Sequence, residues 1–346
     1  KSPARRLPGF FSEKIGVPVY PFESPNFLPS AKNKQVNLVR SVAYNLFRLH
    51  KYLSSIRYIN RMIKETGADV VVNFYELLTG LTYLFCHPKA LMVCIAHQYL
   101  FLHPDFVFPG QNRLSLVSLK FFTRMTAIGA TKKLALSFRK MREVPSERIV
   151  VVPPLLRKEV LETTPVNGDY LHGYLLNSGF SEEIRSWHKV HPNVALHIFW
   201  DKKEVRPEVK VDSFLSFHQL NDTLFIRYMA GAKAYATTAG FESVCEAMYL
   251  GKPVLMVPTH IEQSCNAFDA VQAGAGVVAD RFDLDALLEL SRTHRPNPAF
   301  SHWVKQADWL ILREFRLDLL MEETPASLWR RLSTRWIYRL GKTLSI

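Results

Sequence analysis

Residues 237–267 read TTAGFESVCEAMYLGKPVLMVPTHIEQSCNA. The apolar run Pro253–Pro258 is short, rich in Val, Leu and Met, and bounded by prolines, which predicts a buried strand. Helical patterns stand on either side of it, one at 243–250 and one starting at Glu262. A second apolar run, KAYATTAG at 233–240, precedes the first helix. Strand, helix, strand, helix is the order of a parallel sheet covered on both faces. In such sheets ligands collect at the carboxyl ends of strands, where loops enter helix starts. Gly240 falls at one such point and Glu262-Gln263 at the next. A glycine lets backbone N–H groups approach an anion, and the helix start adds unpaired donors and a partial positive charge. Glu246, one turn further on, is able to accept two hydroxyl hydrogen bonds, as a ribose diol offers them. Taken singly, Gly240 also reads as a plain turn and Glu246 as a solvated helix residue.

The same alternation runs outward in both directions. YLHGYLLNSGF (170–180), NVALHIFW (193–200), VDSFLSF (211–217) and GVVA (276–279) read as strands, with a helix at 181–190. Upstream, GADVVVNFYELLTGL (67–81), KALMVCIAHQYLF (89–101) and RIVVVPPLLR (148–157) each contain a short buried strand. The last is stopped by Pro153-Pro154. A long amphipathic helix is expected over 38–64, with Leu38, Val42, Leu46, Leu49, Leu53, Ile56 and Ile63 recurring every three or four residues. The expected fold is α/β: two Rossmann-like domains facing across a cleft. Their expected limits are 1–155 and 156–300, with C-terminal helices over 301–346.

Composition narrows the function classes. The 346 residues are 48% hydrophobic, enough for sizeable cores, and give no sign of global disorder. The four cysteines, Cys86, Cys94, Cys245 and Cys265, are scattered without a CxxC pair, which points to reduced thiols and away from zinc. The longest uncharged apolar stretch, Ala90–Leu102, is too short to span a bilayer. No signal-peptide h-region is seen, so a cytoplasmic location is expected. The net charge of +13 is uneven. Residues 1–150 carry 22 Lys/Arg against 8 Asp/Glu, residues 151–322 carry 17 against 22, and the last 24 carry 5 against 1. The asymmetry fits two domains with different partners. No zinc, RNP or helix-turn-helix signature accompanies the basic charge, so nucleic acid is not expected.

The pattern T-A-G-F-E-S-x-x-E-A-x3-G-K-P-x4-P-x3-E-Q-x2-N-A resembles the donor-binding motif of the GT-B glycosyltransferases. It matches the H-C-G-W-N-S-x-x-E-A…G-x-P…P…E/D-Q-x-x-N-A signature of the UDP-glycosyltransferases. It is also similar to the donor domain of the lipid-linked N-acetylglucosaminyltransferase of peptidoglycan synthesis, and most similar to a little-characterised prokaryotic glycosyltransferase group. The resemblance implies that Glu246 holds the ribose of a UDP-sugar and that Thr238, Gly240, Phe241 and Ser243 lie beside the diphosphate. Glu262 and Gln263 would read the sugar. Ser178 and Gly179, with Asn177, match the loop after the first strand of the donor domain, also facing diphosphate. His218, in FHQLN, falls where such proteins pass the uracil edge. Two positions depart from the motif: Thr238 stands where histidine contacts phosphate, and Glu242 replaces asparagine.

The first domain of such proteins binds the acceptor and supplies the catalytic base. The glycine-rich loop expected there does not precede Lys1, so a β-α-β start of roughly 35–40 residues is expected upstream of this chain. Glu76 and His97 fall at the carboxyl ends of neighbouring strands and are the candidate bases; a helix-capping Glu and a structural His are their other reading. Basic residues Arg40, Arg48, Lys51, Arg57, Arg61 and Lys64, those from Lys120 to Arg142, and the tail SLWRRLSTRWIYRLGKTLSI suit an anionic membrane surface. The tail's Trp329, Leu332, Trp336, Leu340 and Leu344 equally suit packing on the first domain.

The resemblance implies an inverting, metal-independent bacterial enzyme without a bound cofactor, taking a sugar from a UDP-sugar to a hydroxyl. Its acceptor would be a lipid-linked or cell-envelope glycan on the inner membrane face. A UDP-sugar 2-epimerase or nucleotide-sugar hydrolase of the same fold, and a non-catalytic scaffold, are the alternatives.

Overall fold

The computed structural model describes residues 16–25, 38–110, 113–176, 178–202 and 206–316. Asn177 and the basic tail lie outside the described residues.

Two sheets organise the chain. The first holds β1 (Val70–Asn73), β2 (Leu91–Ala96), β3 (Lys132–Leu136) and β4 (Ile149–Val152) in that order, every pair parallel. Around it run α1 (Leu38–Phe47), α2 (Leu49–Glu65), α3 (Leu77–Cys86) and α4 (Arg113–Thr126). The helix expected over 38–64 is two helices, broken at Arg48. No Gly or Pro marks the break in the sequence. At the break the Arg48 guanidinium turns to the Tyr44 hydroxyl (2.6 Å), four residues back, and to Glu23.

After Pro153-Pro154 and the short α5 (Lys158–Leu161), a seven-stranded sheet begins. It comprises β5 (Tyr170–Leu175), β6 (Ala195–Trp200), β7 (Glu208–Lys210), β8 (Leu215–Gln219), β9 (Ala234–Thr237), β10 (Val254–Met256) and β11 (Gly276–Val278). The spatial order is β11-β10-β9-β5-β6-β8-β7, parallel except for the edge strand β7. Leaving β7 aside, this is the doubly wound order, and the winding direction reverses between β5 and β9. The helices α6 (Ser181–Val190), α7 (Asp222–Gly231), α8 (Phe241–Tyr249), α9 (Ile261–Gln272) and α10 (Leu284–Thr293) cover its faces. The strand expected at 211–217 starts instead at Leu215, because Asp212 accepts from the backbone N–H of Phe214 and Leu215 and turns the chain first.

Helices α11 (Pro298–Val304) and α12 (Ala307–Arg313) return to the first sheet. The Trp303 indole N–H donates to the Ser137 carbonyl (3.0 Å), and Lys132 pairs with Glu314 at 2.9 Å. One apolar cluster includes Val93, Leu134, Phe138 and Val152 together with Phe241, Val244, Met248 and Phe300. The two sheets therefore share a continuous core beneath the cleft, which holds their carboxyl ends face to face.

Candidate functional site

The reversal point sets the site. The helices that follow β5, β9 and β10, three neighbouring strands, have Phe180, Gly240 and His260 at their N-cap positions, and none has a side-chain cap. The helices after β8 and β11 are closed differently. Asn221 accepts from the Leu224 N–H (2.9 Å) and Asp283 from the Ala286 N–H (3.1 Å). Helix starts leave N–H groups without intrahelical partners. Three such starts side by side make a donor-rich shelf suited to an anion with several oxygens, with Glu182, Glu183, Glu242 and Glu262 in the same first turns.

Between β9 and α8 the chain makes a tight turn. Its left-handed residue is Ala239 (φ 64°), not Gly240, whose φ is −65°. An L-residue at such a φ is uncommon and is held by its surroundings. Here the buried Asn266 side chain on α9 donates to the Ala239 carbonyl at 3.4 Å. A Cβ built on Gly240 would meet only Ser243 Oγ, at 3.8 Å. The protein's own packing thus leaves space above the helix start. Ser243 Oγ bonds the Gly240 carbonyl, and Thr238 is buried in the turn.

The expected site residues sort into three groups. Ser178 and Gly179 lie in the turn after β5, and Gly240 and Ser243 at the start of α8, all on the shelf. Phe241 is buried. Its ring stacks on His97 of the first domain, centroids 3.9 Å apart, and leans on Phe138. Only its backbone faces the shelf's chemistry. His218 sits inside the ladder, opposite Phe199 of β6 and Glu208 of β7, with its ring buried and 3.3 Å from His197.

Glu246 is 4% exposed. Arg157, from the segment joining the domains, grips it with two bonds: Nε to Oε1 at 2.6 Å and Nη2 to Oε2 at 2.8 Å. The same guanidinium pairs with Asp222 at the start of α7. Burial raises the Glu246 pKa, and Arg157 pulls it back down. Gln263 Oε1 accepts from the Thr259 N–H (2.9 Å) and hydroxyl (2.8 Å), so what it offers a ligand is its NH2. Glu262 Oε1 accepts from Gln98 Nε2 of the first domain at 2.7 Å. Glu242, open to the cleft, has its pKa raised by its crowded surroundings and by the charge of Glu262. Two carboxylates therefore face the cleft from adjacent helix starts.

On the first domain, Glu76 and His97 follow the carboxyl ends of the neighbouring strands β1 and β2. Glu76 is the N-cap of α3: Oε1 accepts from the Leu78 N–H (3.0 Å) and the Ser24 hydroxyl (2.8 Å). His97 is 2% exposed. Its partner at 2.7 Å is the Leu136 carbonyl, which only accepts, so Nδ1 carries the proton and Nε2 is a buried lone pair without a partner. Burial lowers its pKa to about 4. The ring is neutral at pH 7, enclosed by Phe101, Phe138 and Phe241. Among the described residues no group of three or more His, Cys, Asp or Glu is set to hold a metal ion.

Sequence reasoning missed Arg157, Gln98 and the buttressing role of Asn266. Arg157 left one trace: with Lys158 it closes the apolar run after two prolines. Gln98 left none, since its partner is 164 residues away.

The same layout is found in known proteins. The glycosyltransferase of kitacinnamycin superposes with a TM-score of 0.53 at 14% identity, over 88% of this chain and 86% of that one. LpCGTa, solved in complex with UDP, gives 0.50 at 13% identity over 81% and 82%. At these identities the likeness is one of fold, the GT-B arrangement of two Rossmann-like domains. A Caenorhabditis elegans protein named for UDP-glucuronosyltransferase activity, ugt-48, is 31% identical over 111 residues. That alignment covers 30% of this chain and 19% of the relative, so the chain matches about a fifth of that protein's length. The family profile for glycosyl transferase family 1 matches residues 26–290, more than three quarters of the sequence, and the chain belongs to that family.

Proposed function

We propose that the protein transfers a sugar from a UDP-sugar to a hydroxyl of a lipid-linked or cell-envelope acceptor. The observation that carries the reading is the shelf of three neighbouring helix starts without side-chain caps, with Glu246 beside it and Glu262-Gln263 at its far end. A diphosphate fits the N–H donors, a ribose diol the carboxylate of Glu246, and a hexose the Glu262-Gln263 pair. In this reading the helix starts stabilise the charge that develops on the leaving diphosphate, and no metal is assigned to it. Of the two candidate bases, Glu76 keeps Oε2 for an acceptor proton, whereas His97 is enclosed and a weak base. The acceptor assignment draws on the first domain's surface. Leu46, Phe47, Leu49 and Leu53 around the α1–α2 junction, and Leu114, Val117 and Phe121 on α4, are exposed beside Lys51, Arg57, Arg61 and Lys120. Apolar and basic side chains together suit a lipid-borne acceptor at an anionic surface.

A thermal-shift panel of nucleotides tests the donor assignment. UDP is expected to stabilise the protein by about 2.7 kcal/mol at a hundred times its dissociation constant. Gly240→Val is expected to abolish that shift without moving the unliganded midpoint, because the protein itself leaves room there. Equal shifts with ADP, GDP and UDP, or a Gly240→Val protein that responds like wild type, would overturn the assignment. Incubation with the UDP-sugar alone separates transfer from its alternatives: free sugar or an epimer formed without acceptor would favour a hydrolase or epimerase.

A further inference from the structure

We infer that Arg157 is a positioning residue for the donor's ribose: it fixes the Glu246 carboxylate in one orientation for the diol. The inference rests on the reading of Glu246 as the ribose-binding group. The geometry is specific. Both Glu246 oxygens receive one guanidinium N–H each, at 2.6 and 2.8 Å, which leaves one lone-pair direction on each oxygen. A vicinal diol presents two donors at a matching spacing. A bidentate guanidinium holds the carboxylate plane as a single lysine charge does not. Asp222 at the start of α7 fixes the guanidinium from its other side. The arrangement spans three elements: the inter-domain segment, α7 and α8.

Charge points the same way. Glu246 is buried, and the groups facing it are Glu242 and Cys245 on its own helix, Tyr235 on β9, and Arg157 with Asp222 behind it. Arg157 is the cation of that set. Without it, burial and the charge of Glu242 would push the carboxyl further toward its neutral form, which accepts hydroxyl hydrogen bonds poorly. The sign follows: in an Arg157 variant the carboxylate forms only as pH rises through the raised pKa, so ribose recognition should improve with pH.

The test compares UDP with 2′,3′-dideoxy-UDP by titration calorimetry between pH 5.5 and 8.5, using wild type, Arg157→Met and Arg157→Lys. The ratio of the two affinities cancels the titration of the diphosphate. Wild type is expected to prefer UDP by roughly a hundredfold or more, the lower end for two bonds to a charged acceptor. Arg157→Met should lose most of that preference at pH 6 and regain part of it at pH 8.5. Arg157→Lys should be intermediate, and it carries the test alone if thermal denaturation shows the Met variant unfolded. If wild type binds both nucleotides equally, or binds neither, the Glu246 reading falls and the inference with it. If wild type discriminates and the folded variants discriminate as well at every pH, the inference alone is overturned.

Discussion

Arg139 and Asp269 join the two domains, and breaking that pair gives a measurable outcome of a definite sign. Arg139 follows β3 of the first sheet; Asp269 lies on α9, 1% exposed, with its Oδ2 buried and unpartnered. The Arg139 guanidinium pairs with Asp269 Oδ1 and reaches Gln272 at 3.4 Å. Removing one partner of a buried pair costs about 3–5 kcal/mol, because the remaining charge is stranded. The Arg139 side chain is 32% exposed, so water would reach the vacated position. The expected loss for Arg139→Ala is therefore at the lower end or below, about 2–3 kcal/mol at pH 7.5. Burial raises the Asp269 pKa in the folded protein, and Arg139 lowers it. In the variant the folded pKa rises further above the unfolded one. The unfolded chain then releases its proton first, and stability falls as pH climbs between the two values. The deficit should be small near pH 4.5 and full at pH 7.5. Urea denaturation of wild type, Arg139→Ala and Arg139→Ala/Asp269→Asn at both pH values measures it. The double variant should recover most of the loss, since a neutral amide strands no charge. A deficit equal at the two pH values, or no recovery in the double variant, would refute the reasoning.

The buried histidines make the fold acid-sensitive. Burial lowers the His97 pKa to about 4 and that of His172 to about 3, so the unfolded chain takes up protons first as pH falls below the usual value. Stability should be complete above about pH 6.5 and fall below it by up to about 1.4 kcal/mol per pH unit for each site. The urea midpoint between pH 7 and 5 reads this; His172→Phe, placed among Phe199, Phe225 and Tyr235, should flatten it, and a flat wild-type profile would count against it. Glu76→Gln is expected to keep the α3 cap through its amide oxygen, holding stability within about 1 kcal/mol, while lowering kcat by about 10²–10⁴-fold. An unchanged kcat would leave Glu76 as a helix cap and no more.

Much of the fold was legible because it rests on local patterns. The helix at 181–190 was read to the residue: Glu182 and Glu183 stand in its first turn, His188 and Lys189 in its last, matching the helix dipole. The shelf residues were legible because a strand end, a glycine and a helix start follow one another within eight positions. The central strand β3 was hidden. Lys132 and Lys133 open it, and a lysine reads as solvent-facing until its partner is known. That partner is Glu314, 182 residues away, and the pair is buried by the returning helices.

The sequence by itself determined the alternation of strands and helices, the charge asymmetry and which residues stand at the ends of β9 and β10. Periodicity, prolines and the 31-residue motif are all properties of neighbours in the chain. The tertiary structure decided what each polar group faces. It seated His97 in an aromatic enclosure against Phe241, made Glu76 a helix cap, put the left-handed residue of the turn at Ala239 and set Arg157 on Glu246. Those outcomes depend on burial and on partners dozens to hundreds of residues apart, and a buried charge or lone pair takes its properties from those partners.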